Sequence, residues 1–148
     1  MKIAELDYEP DSARRFGAIA DLPWAVLLDS GRERAAAARY DIFAADPYVT
    51  LVTEGTVTTI CTRSGSRQSD ADPLMLLRDA LGSTSPAAPG LPFCGGAVGY
   101  FAYDLGRRYE KWPALAARDV AMPELAVGIY DWAVVADHNE LNTGFVCI

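Results

Sequence analysis

Apolar and polar positions recur along the chain in three recognisable ways. Tyr48–Thr53 and Thr56–Cys61 are β-rich runs separated only by Glu54-Gly55. Glycine accepts the positive φ of a tight two-residue turn, so a hairpin is expected. Trp24–Leu28 is instead a short continuous apolar run, bounded by Pro23 and by Asp29-Ser30-Gly31. That pattern predicts a strand buried on both faces and central in its sheet. Two further segments carry helical spacing. Phe16, Ile19 and Ala20 follow an Asp11-Ser12 cap and stop before Pro23, while Leu74, Leu77 and Leu81 follow Asp72-Pro73 and stop at Gly82. An acidic cap, a proline in the first turn and a glycine past the last turn are the chemistry of helix ends.

The remaining segments read less sharply. Met1–Glu9 alternates imperfectly and suits an edge strand, and Tyr40–Ala45 reads as a strand broken by Asp46-Pro47. Gly31–Arg39 suits either a helical turn or a surface excursion. Arg63–Asp70 is polar and predicts a loop; Ser83–Pro92, rich in Ser, Pro and Gly, predicts a connection within one fold. Beyond it come a glycine-rich apolar run, Cys94–Tyr103, a helical turn around Leu105–Trp112, and a long strand from Ala126 to Ala136. A turn at Asn139, Asn142 and Gly144 leads to Phe145–Ile148 as the second arm of a hairpin. Strands outnumber helices and short turns join several of them. The expected class is α+β, with largely antiparallel sheets packed with helices.

Composition narrows the function classes. The 148 residues include 51% hydrophobic ones, and 13 Lys+Arg against 20 Asp+Glu give a formal net charge of -7. A chain of this size buries roughly 68–70% of its unfolded surface, which supports one domain without metal or disulfide staples. An acidic balance opposes nucleic-acid binding, which rests on clustered cations. No apolar run approaches the ~20 residues of a membrane-spanning helix, and no secretory signal is readable. Cys61, Cys94 and Cys147 are odd in number and lie in apolar or β-rich surroundings, which suits reduced, buried thiols and a cytoplasmic location.

Candidate chemistry is sparse. His138, the one histidine, sits in Asp137-His138-Asn139 at a strand end and reads as an exposed turn residue. One histidine and scattered cysteines cannot assemble a zinc site of the usual spacing. Gly95, Gly96 and Gly99 lack the Lys-Ser/Thr of a phosphate loop, and glycines in a strand more simply permit close backbone approach. Asp104, Arg107, Arg108 and Glu110 read as ion pairs on a solvated helical face. Asp29-Ser30-Gly31 offers a carboxylate and a hydroxyl where an apolar strand meets a loop. These groups suit either a small-molecule ammonium, with Trp24, Tyr40 or Phe43 as an apolar wall, or an ordinary Asx turn.

Three ordered segments, Leu22–Gly31, Phe93–Arg108 and Met122–Ala133, resemble the N-terminal region of the chorismate-utilising synthases. Within them Leu27-Leu28-Asp29-Ser30 and Gly95-Gly96-Ala97-Val98-Gly99-Tyr100-Phe101-Ala102-Tyr103-Asp104 match elements shared with the anthranilate branch. Ala126–Ala133 favours the aminodeoxychorismate branch. The resemblance spans about Leu22 to His138. It implies a four-layer α/β/β/α sandwich with orthogonal sheets. It also implies addition of ammonia, released from glutamine by an amidotransferase subunit, to chorismate, giving 4-amino-4-deoxychorismate for para-aminobenzoate and folate synthesis. Mg²⁺, its glutamate ligands and a lysine nucleophile are implied in a C-terminal chorismate-binding half beyond these residues, and Lys2 and Lys111 match no part of it. A tryptophan pocket carries over onto Asp29, Ser30, Ala37, Ala38, Arg39 and Tyr40. The alternatives are an anthranilate synthase fragment and a stand-alone amino-acid-binding module. Without the second half, exposed apolar sheet and a free strand edge predict self-association.

Overall fold

The computed structural model describes residues 2–31, 38–82, 89–111, 113 and 120–147. In chain order its elements are β1 (Lys2–Leu6), α1 (Ser12–Phe16), β2 (Val26–Leu28), β3 (Tyr40–Ala44), β4 (Val49–Glu54), β5 (Val57–Thr62), β6 (Gly65–Ser69), α2 (Pro73–Leu81), β7 (Gly96–Phe101), a 3-10 helix (Tyr103–Arg108), β8 (Leu125–Tyr130), β9 (Trp132–Asp137) and β10 (Asn142–Cys147). The strands form two sheets of five, ordered β1-β10-β9-β3-β2 and β6-β5-β4-β8-β7. Antiparallel pairing dominates both, in keeping with the α+β expectation.

Length alone suggests one domain, but contacts divide the chain into two compact units. One comprises Met1–Pro47, Ser83–Gly96 and Tyr130–Ile148; the other comprises Tyr48–Gly82 and Ala97–Ile129. Neither is contiguous in sequence, so no linker marks the division.

In the second unit the expected hairpin forms one residue later than its composition suggests. Glu54 pairs with Val57, leaving Gly55-Thr56 as the turn, and Gly55 has φ 57°. Glycine thus occupies the first central position, where a type II′ turn needs it. Arg63–Asp70 is not simply a loop. Gly65–Ser69 pairs with β5 as an edge strand, and because its side chains are mostly exposed, backbone pairing rather than apolar alternation makes it a strand.

Asp72 caps α2 as expected, accepting from the amides of Leu74 at 2.9 Å and Met75 at 3.0 Å. Leu74, however, faces solvent. The inner stripe is Pro73, Leu76, Leu77, Ala80 and Leu81, whose leucines and alanine pack on Leu51, Ile60, Leu105, Leu125, Val127 and Ile129. Of the glycine-rich run, Gly95 and Gly96 take φ 132° and 125°, where glycine is favoured, and close approach explains Gly99 alone. A Cβ on Gly99 would lie 2.1 Å from the Ala126 carbonyl oxygen and 2.6 Å from the Val127 Cα.

Thr53 and Thr58 face each other across the hairpin, fully buried, with their hydroxyls 2.9 Å apart. Thr53→Val strands the Thr58 hydroxyl in an apolar setting and is expected to cost about 1–3 kcal/mol. The Thr53→Val/Thr58→Val pair removes both polar groups and should recover most of that loss. Urea denaturation of the single and double variants checks this; additive losses would contradict it.

In the first unit β2 is, among the described strands, an edge strand paired with β3, and Leu28 is exposed, which corrects the expectation of a central strand buried on both faces. The centre belongs to β9, whose residues from Ala133 to Asp137 are buried. The apolar run Ala126–Ala136 is therefore two strands rather than one, interrupted at Asp131. β9 and β10 form the expected hairpin, with Asn142 and Gly144 inside β10 rather than in the turn. β1 completes the sheet as the edge strand suggested by its composition. Phe16 of α1 meets Phe43 edge-on with ring centroids 6.2 Å apart. Of the cysteines expected to be buried only Cys94 is; Cys61 is exposed and Cys147 half-buried. Trp112 and Ile148, named in sequence expectations, lie outside the described residues.

Candidate functional site

Asp41 is a carboxylate within β3, next to Tyr40 and Ile42-Phe43-Ala44-Ala45, and is only 5% exposed. A charge in such a strand requires partners. They come from two separate parts of the chain, around Ser30 and His138. The backbone amide and the hydroxyl of Ser30 each donate to Oδ1 at 2.7 Å. Nε2 of His138 lies 2.7 Å from Oδ2, and Nδ1 of the same ring lies 2.8 Å from the Tyr8 hydroxyl. His138 is itself buried, so its reading as an exposed turn residue is wrong. The tertiary fold brings Asp41 and Tyr8 to it from residues remote in sequence.

Burial pushes the Asp41 carboxyl up, but hydrogen bonds from the Ser30 amide and hydroxyl and from His138, with the Ser12 hydroxyl nearby, outweigh it and hold the group at about 2. A folded value below the unfolded one stabilises the fold above about pH 4, and this contribution is lost as pH falls toward 2. At neutral pH the contribution is on the order of 2 kcal/mol. Between pH 5 and pH 2 the urea midpoint of the native chain should fall more than that of Asp41→Asn. Parallel pH profiles would show that Asp41 is not the group responsible.

Asp137-His138 also holds the other predicted segment. The Arg39 guanidinium grips Asp137 with Nε at 2.9 Å from Oδ1 and Nη2 at 2.6 Å from Oδ2. Hydrogen bonding to Arg39 leads the effects that hold the Asp137 carboxyl below its usual range, together with the amides of Glu140 and Asn139, against desolvation. The Arg39 guanidinium is pushed up, chiefly by its hydrogen bond to Asp137. It also lies 4.8 Å from the centre of the Tyr40 ring, a cation–π distance. The His138 amide donates to the Arg39 carbonyl at 2.9 Å, extending the β3–β9 pairing.

The predicted pocket residues are therefore only partly gathered. Ser30 is fixed on Asp41, and Arg39 and Tyr40 are stacked together, with Ala38 half-buried beside them. Asp29 is exposed, and its Oδ1 accepts from the Gly31 amide at 2.6 Å, closing an Asx-type turn. Ala37 lies outside the described residues. Asp29 lines a cavity of about 280 Å³ with Ser12 and Asp41, whereas Tyr40 lines a different one of about 480 Å³ with Gly90, Val135 and Asp137. Phe43 is 2% exposed and belongs to the core, and Trp24 is held at φ 54° with its carbonyl accepting from the Tyr130 hydroxyl at 2.8 Å. Sequence reasoning missed Asp41, Asp137 and Tyr8. A carboxylate inside an apolar strand and an Asp-His pair at a strand end were the available signals.

Elsewhere Asp104 and Arg107 form the expected i, i+3 pair, with Nε 2.9 Å from Oδ1. Among the described residues, no three His, Cys, Asp or Glu side chains are grouped so as to hold a metal ion. Among them, too, no helix is long and apolar enough to cross a membrane.

No protein-family model matches the chain. It is 44% identical over 142 residues to aminodeoxychorismate synthase component 1 of Salmonella typhimurium, covering 93% of this chain and 31% of that protein. Its Klebsiella aerogenes counterpart is 46% identical, covering 90% of this chain and 30% of the relative. Anthranilate synthase component 1 of Acetivibrio thermocellus is 36% identical, covering 76% and 23% respectively. The crystal structure of anthranilate synthase component I from Streptococcus pneumoniae aligns with TM-score 0.63 and 25% identity, over 95% of this chain and 30% of that one. The chain thus spans about a third of the length of the relatives it matches. Identity at this level over nearly the whole chain, together with the shared fold, places it in the aminodeoxychorismate synthase component 1 family, within the anthranilate synthase component I superfamily.

Proposed function

We propose that the chain is the N-terminal region of an enzyme that adds ammonia to chorismate to give 4-amino-4-deoxychorismate, the precursor of para-aminobenzoate and folate. A glutamine amidotransferase subunit supplies the ammonia. The observation that carries this reading is that three relatives among the most similar, at 42–46% identity over 83–93% of the chain, are aminodeoxychorismate synthases, while the anthranilate synthase of Acetivibrio thermocellus, at 36% over 76%, falls among other aminodeoxychorismate synthases at 39% and 33%. On this reading Mg²⁺ and the reacting groups belong to a chorismate-binding portion outside these residues, and the enzyme works in the cytoplasm. Mixed with amidotransferase subunit, glutamine, chorismate and Mg²⁺, the chain alone should form no product. A longer protein that includes it should form aminodeoxychorismate. Anthranilate as the product would establish the alternative branch.

Within that enzyme, Asp29-Ser30 and the segment Ala38-Arg39-Tyr40 contribute to an amino-acid pocket whose ligand is tryptophan, with Asp29 and Tyr40 on separate cavities of this chain. Ser30 and Tyr40 support this assignment: a hydroxyl and a half-buried aromatic ring lie on adjacent strand ends. Titration calorimetry with tryptophan, repeated on Ser30→Ala, tests it, and unchanged affinity in the variant would refute it. Exposed Ile3, Tyr100, Phe101 and Tyr103 favour self-association of the isolated chain, and a monodisperse monomer in light scattering at high concentration would contradict this.

A further inference from the structure

The assignment of Ser30 to an amino-acid pocket, on which the following rests, leaves open what orients its hydroxyl. An ionised carboxylate accepts hydrogen bonds and has none to donate. Both Ser30 donors, amide and hydroxyl, therefore point to Asp41 Oδ1, and the serine oxygen is left with its lone pairs for other partners. The same logic fixes the imidazole. Facing Asp41 Oδ2 at 2.7 Å, Nε2 must carry a hydrogen, and in the neutral ring Nδ1 then accepts from Tyr8. His138 and Asp41 are buried and remote in sequence, and His138 lines neither the cavity of about 280 Å³ nor that of about 480 Å³.

We propose that His138, held by Tyr8 and acting through Asp41, is the positioning residue that commits the Ser30 hydroxyl proton inward and so makes Ser30 an acceptor for a ligand ammonium group. The Asp41 charge, rather than that of exposed Asp29, then supplies the field favouring a cation. His138 also holds the segment Ala38-Arg39-Tyr40 through its amide bond to the Arg39 carbonyl. A serine free to turn would donate to a ligand carboxylate as readily as accept from an ammonium group. Selectivity for the ammonium is therefore the property His138 controls.

The test compares calorimetric affinities for tryptophan and for indole-3-propionate, which lacks the ammonium group. In His138→Phe, tryptophan binding should weaken about tenfold, while indole-3-propionate binding changes little. His138→Gln, whose amide can still donate to Asp41, should recover much of the loss. Equal weakening for both ligands in His138→Phe would overturn the proposal, because a merely structural role moves both. Should His138→Phe fail to fold, Tyr8→Phe must show the same selectivity loss in smaller degree, and unchanged selectivity would overturn it. If the unsubstituted chain binds neither ligand, the pocket reading itself fails. The positioning claim is then decided by the Ser30 amide proton resonance, which must move in Tyr8→Phe; a fixed resonance would overturn it.

Discussion

Gly99→Ala should destabilise the second unit by about 3 kcal/mol or more, at the upper end of overpacking losses. Substitution costs this much because the groups the new methyl would meet are backbone atoms of β8, the Ala126 carbonyl oxygen at 2.1 Å and the Val127 Cα at 2.6 Å. Flexible side chains can move aside; a paired backbone cannot move without disturbing its hydrogen bonds. Gly144→Ala is the matched control, since a Cβ there meets nothing within 4 Å. It should change stability by no more than about 0.5 kcal/mol. Chemical denaturation of both variants settles the point. Similar losses at the two positions would mean that strand propensity, not close approach, governs these glycines.

The second large effect is expected at Asp41. Asp41→Ala leaves the His138 Nε2 and both Ser30 donors without their acceptor, and a buried donor left unsatisfied costs about 1–3 kcal/mol, so the loss should reach about 3 kcal/mol. Asp41→Asn should lose less. Its amide oxygen can still accept from Ser30, and the imidazole can change tautomer to face the amide nitrogen. Asp29→Ala removes only the exposed turn bond to Gly31 and should stay within about 0.5 kcal/mol. Thermal and urea unfolding of the three variants give the ranking. A small effect of Asp41→Ala would show that the cluster is not the polar anchor of the first unit.

Part of this fold and site was legible before any tertiary information. The β4–β5 hairpin, α2 with its Asp72 cap and Gly82 stop, and the edge position of β1 follow from local rules. Positive φ at Gly55 and capping at Asp72 involve residues within a few positions of one another. β6 was not legible because its polar residues become a strand only when β5 offers its edge. The site was half legible. Ser30, Arg39 and Tyr40 could be singled out, but not the Asp41 carboxylate that holds Ser30.

What the sequence by itself determined was therefore the elements whose geometry depends on neighbours along the chain, and the family resemblance carried by three ordered segments. Tertiary structure alone decided that the apolar strand β2 lies at an edge while β9 takes the centre, and that Ala126–Ala136 divides at Asp131. It also decided that His138 is buried, with Asp41 and Tyr8 as partners 97 and 130 residues away. The physical reason is common to all three. Burial and hydrogen-bond satisfaction depend on what packs across the sheet, and no local period encodes a partner that distant.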